Sequence, residues 1–214
     1  MSGPGGPGRP SRRLAWNRAE LVALDFETTG LDLRKDAVVS FGLVPVRAGR
    51  IVLEDAVYRE VAPEVPPSPT SITIHELRPI DLASAPPLRE VRPELAEALR
   101  GRFVLAWVAE VEVAFLARVF GTSRRRWARR TIDVKRLAEA EDRLRGVSPD
   151  RRSTLAAAAR RFGVPVERTH HAFDDALMTA ELFLVLATRL AARGAGGGTV
   201  AGLLREGRPR RGRS

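Results

Sequence analysis

Apolar and polar positions along this chain change their period partway. Residues 21–26 form a short apolar run, as a buried strand would. Residues 37–46 (A-V-V-S-F-G-L-V-P-V) read as a second strand, 47–50 as a turn and 51–61 as a third strand. Strands in such quick succession predict an antiparallel meander. Residues 62–87 are rich in Pro, Ser and Thr. They are expected to form a long connection with one helical turn near 80–83, and long connections often carry function. From about Glu90 helical spacing takes over. Residues 91–99, 110–120 and 135–143 read as helices, with short apolar strands at 103–106 and 131–134. Residues 124–130 read as a basic loop around Trp127. A helix over 153–162 opens on a Ser cap and stops at Gly163, and the last helix runs from about 173 to 192. Strands in a meander, then strands alternating with helices, predict an α/β fold: a mixed sheet flanked by helices.

Composition sets the outer limits of this picture. With 214 residues and 44% hydrophobic content, one domain with a real core is expected. The Gly/Pro/Arg-rich residues 1–13 and the Arg/Gly-rich residues 194–214 are expected to be flexible tails around a folded unit over 14–193. No apolar run is long enough to cross a bilayer, and no secretory signal is expected, so a soluble cytoplasmic protein with no membrane partner is anticipated. The absence of cysteine excludes disulfides, thiolate metal sites and Cys nucleophiles. The formal charge of +10 is concentrated at the ends. Residues 1–13 carry three Arg and no acid, and 194–214 carry five Arg and one Glu, which leaves +3 for 14–193. Only Lys35 and Lys135 are lysines against 34 arginines. The basic balance therefore favours a polyanionic partner only modestly.

Candidate chemistry begins where the first strand ends. Residues i and i+2 of a strand share a face, so Asp25 and Glu27 project together while Phe26 turns away. Two neighbouring acids at the end of a buried strand suit a hard divalent cation; a solvated strand end entering the Thr28-Thr29-Gly30 turn is the alternative. Glu112 shares a helical stripe with Phe115, Leu116 and Val119, so it faces a core or a site. Glu110 competes, since its stripe (Val113, Ala114, Ala117) is also apolar. In His170-His171-Ala172-Phe173-Asp174-Asp175, Asp175 shares a stripe with Thr179, Leu182 and Leu186 and should face inward. Asp174 fits a helix start through the dipole. His170 in the preceding loop suits a general base, whereas His75 is expected to be an exposed bystander.

Together these residues give the chain a resemblance to the DnaQ-like 3′-5′ exonucleases of the DEDDh type, which have a ribonuclease H-like fold. It spans about residues 18–192. D-F-E-T-T-G at 25–30 resembles the family's first motif, and H-H-A-F-D-D at 170–175 resembles the third, a His followed after four residues by an Asp. Thr131-Ile132-Asp133 and L-A-A-A-A-R-R-F-G-V-P at 155–165 also sit in the usual places. The second motif departs from the pattern: Glu112 stands at the usual Asp, Trp107 and Val108 replace a His-Asn pair, and Val111 replaces an aromatic.

The resemblance implies a five-stranded mixed sheet, a three-strand meander plus shorter parallel strands. It implies two divalent ions, Mg²⁺ or Mn²⁺, held by Asp25, Glu27, Glu112 and Asp175, with His170 as the base that activates water. It implies contact of Thr28, Thr29, Gly30 and Leu31 with the 3′-terminal nucleotide. The expected activity is removal of nucleoside 5′-monophosphates from single-stranded or frayed DNA 3′ ends, as in proofreading or repair, with a DNA polymerase as a candidate partner. The same chemistry on RNA, or a degenerate nucleic-acid- or polymerase-binding module, is the alternative. The Arg124–Arg130 cluster reads either as a phosphate track with Trp127 stacking on a base, or as a solvated basic face with Trp127 packed inward.

Overall fold

A computed structural model describes residues 10–166 and 168–207. After a 3-10 turn at Trp16–Arg18, β1 (Leu21–Thr28) leads into β2 (Val38–Arg47), β3 (Arg50–Ile51) and β4 (Val57–Glu60). Helices α1 (Pro69–His75), α2 (Pro79–Leu82) and α3 (Leu88–Ala98) follow. Then come β5 (Phe103–Ala106), α4 (Ala109–Val119), α5 (Arg124–Ala128) and β6 (Thr131–Asp133). Helices α6 (Val134–Leu144), α7 (Leu155–Phe162), α8 (Ala172–Ala192) and α9 (Val200–Glu206) complete the described chain.

The sheet runs β3-β2-β1-β5-β6, with β4 also paired to β2. β1 is antiparallel to β2 and parallel to β5, and β5 is parallel to β6. β1 thus lies in the middle, covered on both faces, which is why its apolar stretch is continuous rather than alternating. Leu21 and Ala23 face one core with α6, α7, α8 and α9; Val22, Leu24 and Phe26 face another with α3 and α4. Odd and even positions of one strand therefore belong to different layers.

Several segments differ from the sequence expectation. The third strand of the meander is broken by a 3-10 turn at Leu53–Asp55, so the sheet has six strands rather than five. The break falls where the apolar alternation lapses at Glu54 and Asp55, and Asp55 turns back to pair with Arg47 at 2.6 Å. The Pro/Ser/Thr-rich connection holds two helices. Ser68 caps α1 by accepting the Ser71 N–H at 3.1 Å, and Pro69 occupies the first turn. The basic loop is a short helix, α5, capped by Ser123. Its Trp127 is buried, and the indole N–H donates to Thr122 Oγ1 at 2.8 Å, so it cannot stack on a base.

The expected tail from 194 onward is folded as far as residue 207. Val200, Leu203 and Leu204 of α9 are buried against the α6–α8 layer, and Val200 N–H donates to Leu14 O at 3.1 Å. Three apolar residues on one side of a single helical patch were enough to dock it. Residues 1–9 and 208–214 of the expected tails lie outside the described residues. Among the described residues no helix is long and apolar enough to cross a membrane.

Candidate active site

Asp25 and Glu27 continue the Leu21–Ala23 face of β1, the face that α8 covers. Opposite Asp25 in the ladder stands Gly42 of β2. A Cβ at Gly42 would lie 2.1 Å from Ala172 O and 2.6 Å from Phe173 Cα. The missing side chain is what lets the first turn of α8 sit down on the sheet. That turn carries Asp175 to the strand acids. Just before it, His170 adopts a left-handed backbone with φ of 62°, and its N–H donates to Asp175 Oδ2 at 3.0 Å. Ligand atoms of Glu27, His170 and Asp175 all lie within 4.8 Å of one another. The neighbouring His171 is engaged elsewhere: its ring stacks on Tyr58 with centroids 4.5 Å apart, and its Nδ1 lies 3.1 Å from Asp174 Oδ2.

The fourth acid comes from α4. Phe115 packs against Phe26 at 6.2 Å between centroids, and Val113, Phe115 and Leu116 are buried. This docking turns Glu112 inward, where it is 5% exposed, and leaves Glu110 in solvent. Glu112 Oε2 and Asp175 Oδ1 are buried without a hydrogen-bond partner among the described residues.

The acids act on one another. Burial raises the Asp25 carboxyl well above its usual value, and the charges of Glu112, Glu27 and Asp175 add to this. Glu27 is pushed up to about 8 by burial and then by Asp175. Glu112 is also pushed up to about 8, by burial, partly offset by its own backbone N–H, and then by Asp133 and Glu27. Asp175 is raised by burial and pulled back by the His170 N–H. Asp133, the cap of α6, is raised by burial to about 6. No Lys or Arg forms an ion pair with Asp25, Glu27, Glu112 or Asp175 among the described residues. What this set of hard oxygen donors lacks is positive charge, and two of its oxygens are buried and unpartnered. The residues present therefore fit divalent cations with oxygen preference, such as Mg²⁺ or Mn²⁺.

The turn after β1 forms the wall of the site. The β1–β2 register shifts between Glu27 and Thr28, a bulge beside the acids. Thr28 Oγ1 donates to Gly30 O at 2.7 Å. Thr29 is 1% exposed; its hydroxyl donates to Asp36 Oδ1 at 2.8 Å and accepts from Ala37 N–H at 3.0 Å. Its side chain thus holds the turn together. Thr29 O accepts from Ser68 N–H and Ser71 Oγ, each at 2.9 Å, which ties the turn to α1. Leu31 projects outward, 88% exposed.

His75 was expected in solvent and is 5% exposed, because it closes α1 instead of lying in a loop. Nδ1 accepts the Leu77 N–H at 3.0 Å. Burial lowers its pKa, the Thr28 carbonyl opposes this, and the His170 charge lowers it further. His75 therefore backs the first-strand turn within electrostatic reach of His170. The Ser68-Pro69 pair, a helix-start signal, was the clue to its placement. Asp133 and Gly42 were also not singled out as site residues by sequence pattern. Asp133 shows in the sequence as the polar end of the Thr131-Ile132-Asp133 strand, and Gly42 looks like any strand glycine until α8 is laid over it.

Comparison with known proteins adds independent information. Residues 22–183 match the family model described as Exonuclease, of the RNase T type. A PolC-type DNA polymerase III of Thermotoga maritima is 32% identical over 170 residues, which is 78% of this chain but 12% of that protein. The chain thus spans a small part of the PolC-type relatives it matches. The DNA polymerase III subunit epsilon of Aquifex aeolicus is 25% identical over 171 residues, 79% of this chain and 81% of that one. Among solved structures, exonuclease X in complex with 5′-overhanging duplex DNA aligns over 86% of this chain and 99% of that chain, with a TM-score of 0.62 and 22% identity.

Proposed function

Because the chain belongs to the RNase T-type exonuclease family, we propose that it is a metal-dependent 3′-5′ exonuclease that removes nucleoside 5′-monophosphates from single-stranded or frayed DNA ends. The observation that carries this is the meeting of Asp25, Glu27, Glu112 and Asp175 beside His170, with no Lys or Arg paired to these acids among the described residues. Two divalent ions held by these four carboxylates supply, when bound, stabilisation of the negative charge on the attacking and departing oxygens. The protein's own residues do the rest. The exposed His170 ring takes a proton from the water that attacks the terminal phosphorus. As the new P–O bond forms, the bond from phosphorus to the 3′-oxygen of the penultimate nucleotide breaks, and that oxygen takes a proton from solvent while His170 later releases its own to solvent. Asp175 holds the His170 backbone through its N–H, so the base is placed relative to the acids by one hydrogen bond.

The Thr28–Gly30 turn, pinned by Asp36, Ser68 and Ser71, offers a fixed edge to the terminal nucleotide. Thr28, Gly30 and the projecting Leu31 are the groups available for contact, and Thr29 acts through its buried hydroxyl. The polymerase III names of the relatives support DNA over RNA, and they support a DNA polymerase as partner. The deciding experiment uses 5′-labelled and 3′-labelled DNA and RNA oligomers with Mg²⁺, Mn²⁺ or chelator. Stepwise shortening from the 3′ end of DNA with either metal is expected. Absence of metal-dependent shortening on every substrate would sink the enzyme reading, and faster loss from RNA would reverse the substrate preference.

A further inference from the structure

Away from the acids, the molecule has a cavity of opposite charge. It has a volume of about 930 Å³ and is lined by Arg12, Arg13, Arg125, Arg126, Arg129 and Arg130, with no acid in its wall among the described residues. Phe103, also in the lining, begins β5 and pairs with Leu21 at the start of β1. Arg130 immediately precedes β6. The cavity therefore lies at the opposite end of the parallel strands from Asp25 and Glu27, roughly 13–20 Å away along β1 at ~3.3 Å per residue.

What sets these arginines apart is that six of them line one wall; single arginines whose side chains have no acid partner, such as Arg92, Arg151 and Arg152, also occur elsewhere among the described residues. Arg47, Arg59, Arg78, Arg100 and Arg161 each pair with an acid. None of the six cavity arginines does so among the described residues. Arg12 donates to the Arg129 carbonyl, and Arg130 donates to the carbonyls of Leu99 and Arg102 while lying over Trp127 at 5.1 Å. These two are fixed to the frame. Arg13, Arg125, Arg126 and Arg129 are exposed. Burial lowers the Arg130 pKa and Arg126 lowers it further, so the cluster repels itself.

Like charges gathered around a concavity need a polyanion to offset them, and guanidinium forks match phosphate oxygens two at a time. A protein partner is normally held by apolar anchors as well. This wall offers none, since Phe103 is 1% exposed and Trp127 is packed under α5. The buried indole also removes the stacking platform that base recognition uses. We propose that this cavity is a second nucleic-acid site that grips the phosphodiester backbone of a single strand, without regard to base, at a distance from the end being hydrolysed. The choice of a nucleic acid as the polyanion rests on the exonuclease reading; the cavity and its charge do not.

The test is binding in chelator, read by fluorescence anisotropy with a labelled thirty-nucleotide oligothymidylate, for three forms of the full chain: the parent, R125Q/R126Q/R129Q, and a charge-matched control, R92Q/R151Q/R152Q. The cavity variant is expected to lose roughly tenfold in affinity relative to the control. Its dependence of log K on log salt should be shallower by about 2, at ~0.7 per phosphate contact for single strands. Hydrolysis of the p-nitrophenyl ester of thymidine 5′-monophosphate, too small to reach the cavity, should be unchanged. Equal affinity and equal salt slope for cavity and control variants overturn the proposal. So does displacement of the oligomer from the parent by tripolyphosphate at equal phosphate concentration, which would mark a site for small anions. Tighter binding of polyglutamate than of the oligomer, lost in the cavity variant, overturns it in favour of an acidic protein partner. If no form hydrolyses anything, the exonuclease reading fails while the binding comparison still decides the cavity.

Discussion

His170 and Asp175 are joined by a single backbone bond, and the left-handed turn at His170 exists to make it. Non-glycine residues take up such a backbone only where the surroundings hold them there. Holding the loop in this way frees the ring to face Glu27, while His171 is taken up by Tyr58 and Asp174. His170→Ala should therefore lower the turnover rate by ~10²–10⁴, with an unchanged far-UV circular dichroism spectrum. At the unusual second-motif position, Glu112→Ala should abolish most activity. Glu112→Asp should stay within about tenfold of the parent, the scale of one misplaced contact. Glu110→Ala should have no effect, because that side chain points to solvent; steady-state rates on one labelled oligomer settle all three. Stripe analysis favours Glu112 over Glu110 only by the larger apolar groups on its stripe, because both stripes are apolar. Packing of Phe115 on Phe26 distinguishes them.

At the level of elements, the site depends on how closely α8 approaches β2. Gly42→Ala would place a Cβ 2.1 Å from Ala172 O, and the obstacle is backbone, so the helix start must move. A cost of about 1–3 kcal/mol is expected from such overpacking, together with a loss of activity larger than the stability change alone explains at a temperature where the protein is fully folded. Chemical denaturation and rates measured side by side check this; a stable but fully active variant would show that the α8 approach is not what positions Asp175. Helix α9 makes a separate prediction. Leu203 is 1% exposed, so Leu203→Ala should destabilise the fold by about 2–5 kcal/mol, measured by urea unfolding. A loss under about 0.5 kcal/mol, the range of ordinary surface substitutions, would mean that the segment is the tail its composition suggested. The glycine run before α9 and the arginines after it hid a three-residue apolar patch. In the same way, prolines and serines hid α1, although Ser68-Pro69 signals its start.

Considered whole, the molecule separates its charges, with buried acids at one end of the central strands and unpaired arginines at the other. The acidic end has a consequence for stability. Glu27 and Glu112 hold their protons up to about pH 8 when folded, against an ordinary value of 4.5. Between those values the folded state binds more protons than the unfolded chain, so the cation-free protein should lose stability as pH rises through this window. Mg²⁺ should raise the melting temperature more at pH 8 than at pH 5.5, since fewer protons then need displacing. Thermal unfolding in chelator, with Glu27→Gln/Glu112→Gln as the flat-profile comparison, reads the effect. A double variant that follows the parent's pH profile would remove these two acids as its cause. The sequence by itself determined the α/β class, the first strand, the two acids on one of its faces, and the His just ahead of the last helix with the Asp in that helix's first turn. These depend on strand and helix periodicity and on short motifs, which are local. Only the tertiary structure decided that Thr29 turns inward, that His75 is buried behind it, that Gly42 admits α8, and that six arginines from the N-terminal segment and α5 region share one cavity. Each of those depends on which distant surfaces meet, and no local period along the chain encodes that.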